Sequence, residues 1–157
     1  MNIAVIGTGY VGLVAGSCFA ESGNDVSCVD NDAEKIETLK KGIIPIYEPG
    51  LPEIVERNLR EERLMITTDI DSAVKKSFVI FVAVGTPTTS TGAADVTSVL
   101  DVTAAIGRAM DRYKVIVVKS TVPVGTSEKM REVLAKETKQ PFDLLSNPEF
   151  LKQGAAV

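Results

Sequence analysis

Ile3-Ala4-Val5-Ile6-Gly7-Thr8-Gly9-Tyr10-Val11-Gly12 opens the chain with an apolar run that breaks into glycines at positions 7, 9 and 12. The run reads as a strand and the glycines as a tight turn feeding it into a helix. In that geometry the first glycine makes the turn, the second lets a ligand approach bare backbone, and the third lets the helix pack close to the strand. Asp30 follows Gly12 by 18 residues, at the end of a second apolar run. A carboxylate there meets an adenosine ribose whose pyrophosphate lies on free N–H groups at the helix N-terminus. The stretch therefore predicts a dinucleotide-binding unit. Asp30 would accept from the ribose 2′-OH and repel a 2′-phosphate, which selects NAD over NADP. Lys35, one turn into the next helix, either reaches the same ribose or lies in solvent.

Beyond this unit the chain alternates strands and helices. Residues 2–6 and 25–30 form the first two strands, with a helix between them that carries Val11, Val14, Ala15, Cys18 and Phe19 and ends at Gly23. A helix over 32–41 stops at Gly42, and 45–50 is too proline-rich for regular structure before a polar helix over 52–60. Residues 64–67 make a short third strand. The continuous apolar run 78–84 suits a strand covered on both faces of a parallel sheet. After the polar loop 88–92, Asp95 caps a helix with Val96, Val99, Leu100, Thr103, Ile106 and Met110 along one side. Strands over 114–119 and 142–145 flank a helix that carries Met130, Val133 and Leu134. This predicts an α/β fold of the Rossmann type: a doubly wound parallel sheet of about six strands in the order 3-2-1-4-5-6, with helices on both faces.

In such a sheet the ligand lies outside the C-terminal strand ends, where the strand order reverses. Gly7 to Gly12, Asp30, Gly85-Thr86-Pro87, Ser120-Thr121 and Asn147-Pro148-Glu149 gather there. The first two belong to the adenosine side, and the last three to the place where a nicotinamide meets its substrate.

Composition narrows the function. With 157 residues, 45% of them hydrophobic, the chain has enough apolar side chains for one cored domain. The net charge is −4 and no basic run occurs, so nucleic acid and an anionic membrane surface are not expected partners. No apolar stretch approaches the roughly 20 residues of a membrane span, and no basic leader precedes the first strand, so the expected location is the cytoplasm. Cys18 and Cys28 are expected as buried free thiols. With no histidine, the chain offers no transition-metal ligand set and no histidine base for a hydroxyl substrate.

Five motifs in order, Gly7-Thr8-Gly9-Tyr10-Val11-Gly12, Tyr47-Glu48-Pro49-Gly50-Leu51, Val84-Gly85-Thr86-Pro87, Lys119-Ser120-Thr121-Val122-Pro123 and Asn147-Pro148-Glu149-Phe150-Leu151, span the whole chain. Together they resemble the NAD-binding N-terminal domain of the UDP-glucose 6-dehydrogenases, within the UDP-glucose/GDP-mannose dehydrogenase family. The resemblance implies oxidation of the C6 alcohol of a nucleotide sugar to a carboxylate by two NAD-dependent hydride transfers, through a thioester on a cysteine of a later domain. No such cysteine segment stands here, so the chain is expected to be a fragment of a protein two to three times longer. The complete enzyme is expected to be a homodimer or larger.

The same resemblance gives Glu149 a role in thioester formation or hydrolysis, as a carboxylate at a cleft wall able to act as general base. It gives Thr121 the positioning of the catalytic water beside the nicotinamide. On the residues alone, the better reading of Glu149 is a helix-start acid and that of Thr121 a turn hydroxyl. Gly7, Gly9, Tyr10, Val11, Gly12, Asp30, Lys35, Gly85, Thr86, Pro87, Ser120, Thr121 and Gln153 are the expected cofactor contacts. Glu149, Phe150, Leu151, Lys152 and Gln153 are the expected substrate contacts. Gln153 departs from the family, which usually has glutamate there; the amide keeps an acceptor oxygen, loses the charge and gains two donors. GDP-mannose and UDP-N-acetyl-hexosamine dehydrogenases share much of the pattern and stay as alternatives for the sugar. A non-catalytic NAD-sensing domain has no use for Ser120-Thr121 facing Asn147-Pro148-Glu149, and the loop Tyr47 to Leu51 argues against the cofactor half of a hydroxyacyl-CoA or phosphogluconate type dehydrogenase.

Overall fold

Apolar and β-branched runs make the strands. In the computed structural model, which describes residues 1–157, these are β1 (Asn2–Ile6), β2 (Asp25–Val29), β3 (Leu64–Thr67), β4 (Val79–Val82), β5 (Lys114–Val118) and β6 (Phe142–Ser146). All pair in parallel in the order β3-β2-β1-β4-β5-β6, as the sequence predicts. The helices are α1 (Tyr10–Glu21), α2 (Ala33–Lys40), α3 (Leu51–Arg60), α4 (Ile70–Lys76), α5 (Thr97–Ala109) and α6 (Thr126–Glu137).

Side chains alternate across the strands and so divide the core in two. Ala4 and Ile6 of β1 face α4, α5 and α6, where Val74, Val99, Ile106, Met130 and Leu134 are buried. Ile3 and Val5 face α1, α2 and α3, with Leu13, Val14, Ile36, Leu39 and Val55. Both faces of β1 are therefore covered by helices, and its C-terminal end is the reversal point of the strand order.

Helix α4 is absent from the sequence reading. Only Ala73 and Val74 of its seven residues are buried, too few for a clear periodic pattern. Its start is nonetheless encoded, because the Asp69 carboxylate accepts from the Ser72 backbone N–H at 2.9 Å. Its end is held by Lys114, a fully buried lysine whose ammonium donates to the carbonyls of Lys75 (3.0 Å) and Ser77 (2.6 Å). Burial lowers the Lys114 pKa, and Asp111 at 3.5 Å opposes that shift.

Two boundaries shift for a visible reason. β4 stops at Val82, two residues short of the apolar run, because the Ser120 hydroxyl takes the Val84 carbonyl at 2.7 Å in place of a ladder bond. α5 begins at Thr97, and Asp95 makes a local turn by accepting from the Thr97 N–H at 2.9 Å rather than capping the helix. Cys18 is half-buried, while Cys28 is fully buried as expected.

The turn after β1 explains its glycines. Gly7 has φ +103°, and a Cβ there would lie 2.6 Å from the Ala83 carbonyl oxygen. A Cβ on Gly12 would fall 1.8 Å from the Gly7 carbonyl oxygen, and one on Gly16 would fall 2.4 Å from the Cys28 Sγ. Overpacking of this kind costs about 1 to 3 kcal/mol where the neighbour can yield. Gly16→Ala is expected to lose stability in that range, since Cys28 Sγ has some freedom to move. Gly12→Ala should lose more, because its obstacle is backbone. Urea unfolding of both variants checks the ranking; equal stability to the parent protein would contradict the packing described.

Candidate functional site

Two cavities open at the C-terminal strand ends and share Gly9, Ala83, Val84 and Gly85. The larger, about 490 Å³, is lined by Gly7, Gly9, Asp30 and Lys35 on one side and by Ile70 and Val102 on the other. The smaller, about 220 Å³, runs on past Tyr10, Val11 and Thr86 to Lys119, Ser120 and Thr121. They form one groove that crosses the strand reversal, where the sheet leaves a crevice.

The floor of the groove is bare backbone. A Cβ built on Gly9 would meet nothing within 4 Å, and the same holds for Gly85. Neither glycine is required by the protein's own packing, in contrast to Gly7 and Gly12. Nor does any side chain cap the N-terminus of α1 or place an acid in its first turn, whereas Asp32 caps α2 and Asp69 caps α4. Its first N–H groups and the positive end of its dipole therefore face the groove. This suits a pyrophosphate.

At the larger cavity Asp30 is the hub. Its Oδ2 accepts from the Thr8 N–H (2.9 Å), the Thr8 hydroxyl (2.7 Å) and the Lys35 ammonium (2.7 Å), and its Oδ1 accepts from the Asp32 N–H at 3.2 Å. Burial alone would raise the carboxyl; the Lys35 ammonium and the two Thr8 donors outweigh it and hold the pKa at about 2. Lys35 therefore pairs with the Asp30 carboxylate rather than reaching into solvent. Thr8 is a residue that the sequence reading passed over inside its own motif. Ile70 and Val102 were missed as well, because they reach the groove from helices that only the tertiary packing brings there.

At the smaller cavity the loop ends hold one another. The Thr86 hydroxyl donates to the Thr121 carbonyl at 2.8 Å, and the buried Ser120 hydroxyl donates to the Val84 carbonyl. Lys119 donates to Asn147 Oδ1 at 3.1 Å and so ties the end of β5 to the end of β6. The structure thus brings Gly9, Tyr10, Val11, Gly85, Thr86, Ser120 and Thr121 together as expected. Gly12 and Pro87 line neither cavity, Gly12 serving the helix packing instead.

Residues 149–153 also line neither cavity. The Glu149 Oε1 accepts from the Leu151 N–H, Leu151 packs against the α1–α3 core, and Phe150, Lys152 and Gln153 are exposed. What joins this segment to the groove is Glu48, only 2% exposed. Its Oε1 accepts from the Ala156 N–H (2.8 Å), and its Oε2 from the Gly154 N–H (2.8 Å) and the Tyr10 hydroxyl (2.6 Å). The Ala156 N–H and the Tyr10 hydroxyl lower its pKa, while burial and Glu48 push Tyr10 up to about 12.

Residues 1–157 match the family described as UDP-glucose/GDP-mannose dehydrogenase family, NAD binding domain. The chain belongs to this family, as its NAD-binding domain. It is 55% identical to the UDP-glucose 6-dehydrogenase TuaD of Bacillus subtilis over 99% of its length and 34% of the relative's. It is 48% identical to a UDP-glucose 6-dehydrogenase of Rhizobium meliloti, covering all of this chain and 36% of that one. The chain therefore spans about a third of the length of these curated relatives. Among solved structures, a GDP-mannose dehydrogenase from Pseudomonas aeruginosa superposes with TM-score 0.95 at 34% identity, over 99% of this chain and 38% of that one. A UDP-glucose dehydrogenase from Pyrobaculum islandicum superposes at 0.93 and 40% identity, over 98% and 37%. No helix is long and apolar enough to cross a membrane.

The Asp30 hub carries a prediction about acid. A carboxyl held at about 2, below its ordinary 3.8, stabilises the fold fully above the ordinary value and loses that contribution as the pH falls towards 2. Unfolding free energy should therefore drop between about pH 4 and pH 2, and Asp30→Asn should flatten that part of the profile. An unchanged acid slope in the variant would remove Asp30 from its hub.

Proposed function

We propose that the chain is the cofactor-binding part of a longer NAD-dependent nucleotide-sugar 6-dehydrogenase, which oxidises the C6 alcohol of UDP-glucose to UDP-glucuronate. The observation that carries this reading is the groove across the strand reversal, whose glycine floor is open at Gly9 and Gly85 for no internal packing reason. The nucleotide-sugar substrate is supported by the family and by relatives named for that activity. NAD, when bound, would supply the hydride acceptor. The N–H groups at the start of α1 receive its pyrophosphate, and Asp30, braced by Thr8 and Lys35, takes the adenosine ribose. Thr86, Ser120 and Thr121 wall the nicotinamide end, with the Thr121 hydroxyl orienting a water. The Glu149 carboxylate acts as general base at the thioester stage, on a cysteine in the rest of the polypeptide, and Phe150 to Gln153 contact the sugar nucleotide. The complete enzyme works in the cytoplasm as a homodimer or larger assembly, without nucleic acid.

The sugar is the least constrained element of this reading, because a GDP-mannose dehydrogenase shares the fold as closely as a UDP-glucose enzyme does. A panel of UDP-glucose, GDP-mannose and UDP-N-acetyl-hexosamines with the full-length protein decides it by kcat/KM. UDP-glucose is expected to lead, with two NADH formed per sugar; absence of NADH formation with every member would overturn the enzymatic reading. In the same protein Glu149→Gln should lower kcat by about 10² to 10⁴ while NAD affinity stays close to the parent value, as loss of a general base does. Normal turnover in that variant would leave Glu149 as the brace of the Leu151 N–H alone.

A further inference from the structure

The geometry points to Glu48 as the positioning residue that locks the segment carrying Glu149 and Gln153 onto the dinucleotide turn. This inference rests on the dehydrogenase reading for its catalytic consequence and on the structure alone for the lock.

Three features single Glu48 out. It is a buried carboxylate in an irregular, proline-flanked loop, a place where a charged side chain is costly unless every oxygen is engaged. Both oxygens are engaged, and by two separate parts of the chain: the Tyr10 hydroxyl from the first residue of α1, and the Gly154 and Ala156 N–H groups more than 100 residues away. Finally, the segment it holds has little else to hold it. Residues 147–157 form no helix or strand, and their apolar anchors are Leu151 and Ala156.

The span between those anchors is the turn that presents Gln153. The Ala155 N–H donates to the Lys152 carbonyl at 2.9 Å, and Gly154 takes φ +88°, so Gln153 stands at a tight bend whose far side is pinned by Glu48. Glu149 is fixed from the other end, its own carboxylate folded back on the Leu151 N–H. Tyr10 completes the link, because its backbone opens the helix that receives the pyrophosphate and its side chain lines the smaller cavity. Glu48 touches neither cavity and acts only through Tyr10 and the 154–156 backbone.

Glu48→Gln is the informative substitution. The amide keeps the length and one acceptor oxygen but turns its NH₂ donor towards either the Gly154 or the Ala156 N–H, so one backbone arm of the lock must open, whereas the Tyr10 hydroxyl can turn round and accept. In the full-length protein, hydrogen exchange of the Gly154 and Ala156 amides should accelerate about tenfold or more, while exchange within β1 stays as in the parent. The kcat for nucleotide-sugar oxidation should fall about 10- to 100-fold through misplacement of Glu149, with NAD affinity close to the parent's. Tyr10→Phe removes a single hydroxyl and should produce a smaller acceleration at Gly154; it serves as the second variant if Glu48→Gln folds poorly. Unchanged exchange at Gly154 and Ala156, or accelerated exchange with unchanged kcat, would overturn the assignment. If the unmodified protein shows no turnover, the dehydrogenase reading fails, and the lock is then decided by the exchange measurement alone, which needs no substrate.

Discussion

The close approach of α1 to the strand that feeds it is the constraint on which the rest depends. Gly7 turns the chain in a left-handed conformation within reach of the Ala83 carbonyl, and Gly12 passes so near Gly7 that no side chain fits between them. Because the helix starts this close to the sheet, its free N–H groups open directly over the reversal between β1 and β4. Gly16 continues the same contact one turn later against Cys28. The packing glycines therefore decide where the polar end of α1 points, and the open glycines Gly9 and Gly85 leave room for what it points at.

Electrostatics then work locally rather than globally. A molecule with net charge −4 has no long-range attraction for a dianionic pyrophosphate. Lys35, the cation beside the larger cavity, is already paired with Asp30. At the larger cavity what remains for the anion is the uncapped, acid-free first turn of α1, while Lys119 stands at the far end of the smaller one. The pairing of Asp30 leaves its two oxygens unequal: Oδ2 is saturated by Thr8 and Lys35, so Oδ1, which accepts only a long bond from Asp32, is the oxygen with capacity to spare for the ribose contact proposed above.

The sheet order and the groove were legible in the sequence because they follow from short-range signals. Each strand is a compact apolar run, the turns at Gly7, Gly23, Gly42, Gly85 and Gly125 carry glycine, and a parallel doubly wound sheet has one place for a ligand. What stayed hidden depends on packing between distant segments. Helix α4 buries two residues and leans on a lysine from β5. Ile70 and Val102 reach the larger cavity only once their helices have docked. Glu48 was visible as part of a motif, but its work lies in contacts with Tyr10 and Gly154, which no local pattern records. The sequence reading put residues 149–153 at the cleft; in the structure they line neither of the two cavities, and the Glu48 link ties the backbone just after them to Tyr10.

The central claim is that the space above Gly9 is kept for the cofactor and not for the protein. Its most direct test is a paired measurement on Gly9→Val: thermal unfolding without ligand, and NAD affinity by titration calorimetry. The account predicts an unfolding temperature close to that of the parent, since a Cβ at residue 9 meets no protein atom within 4 Å, together with NAD binding weakened by at least about tenfold, or 1.4 kcal/mol. Parent-like NAD affinity in a folded Gly9→Val protein would contradict it.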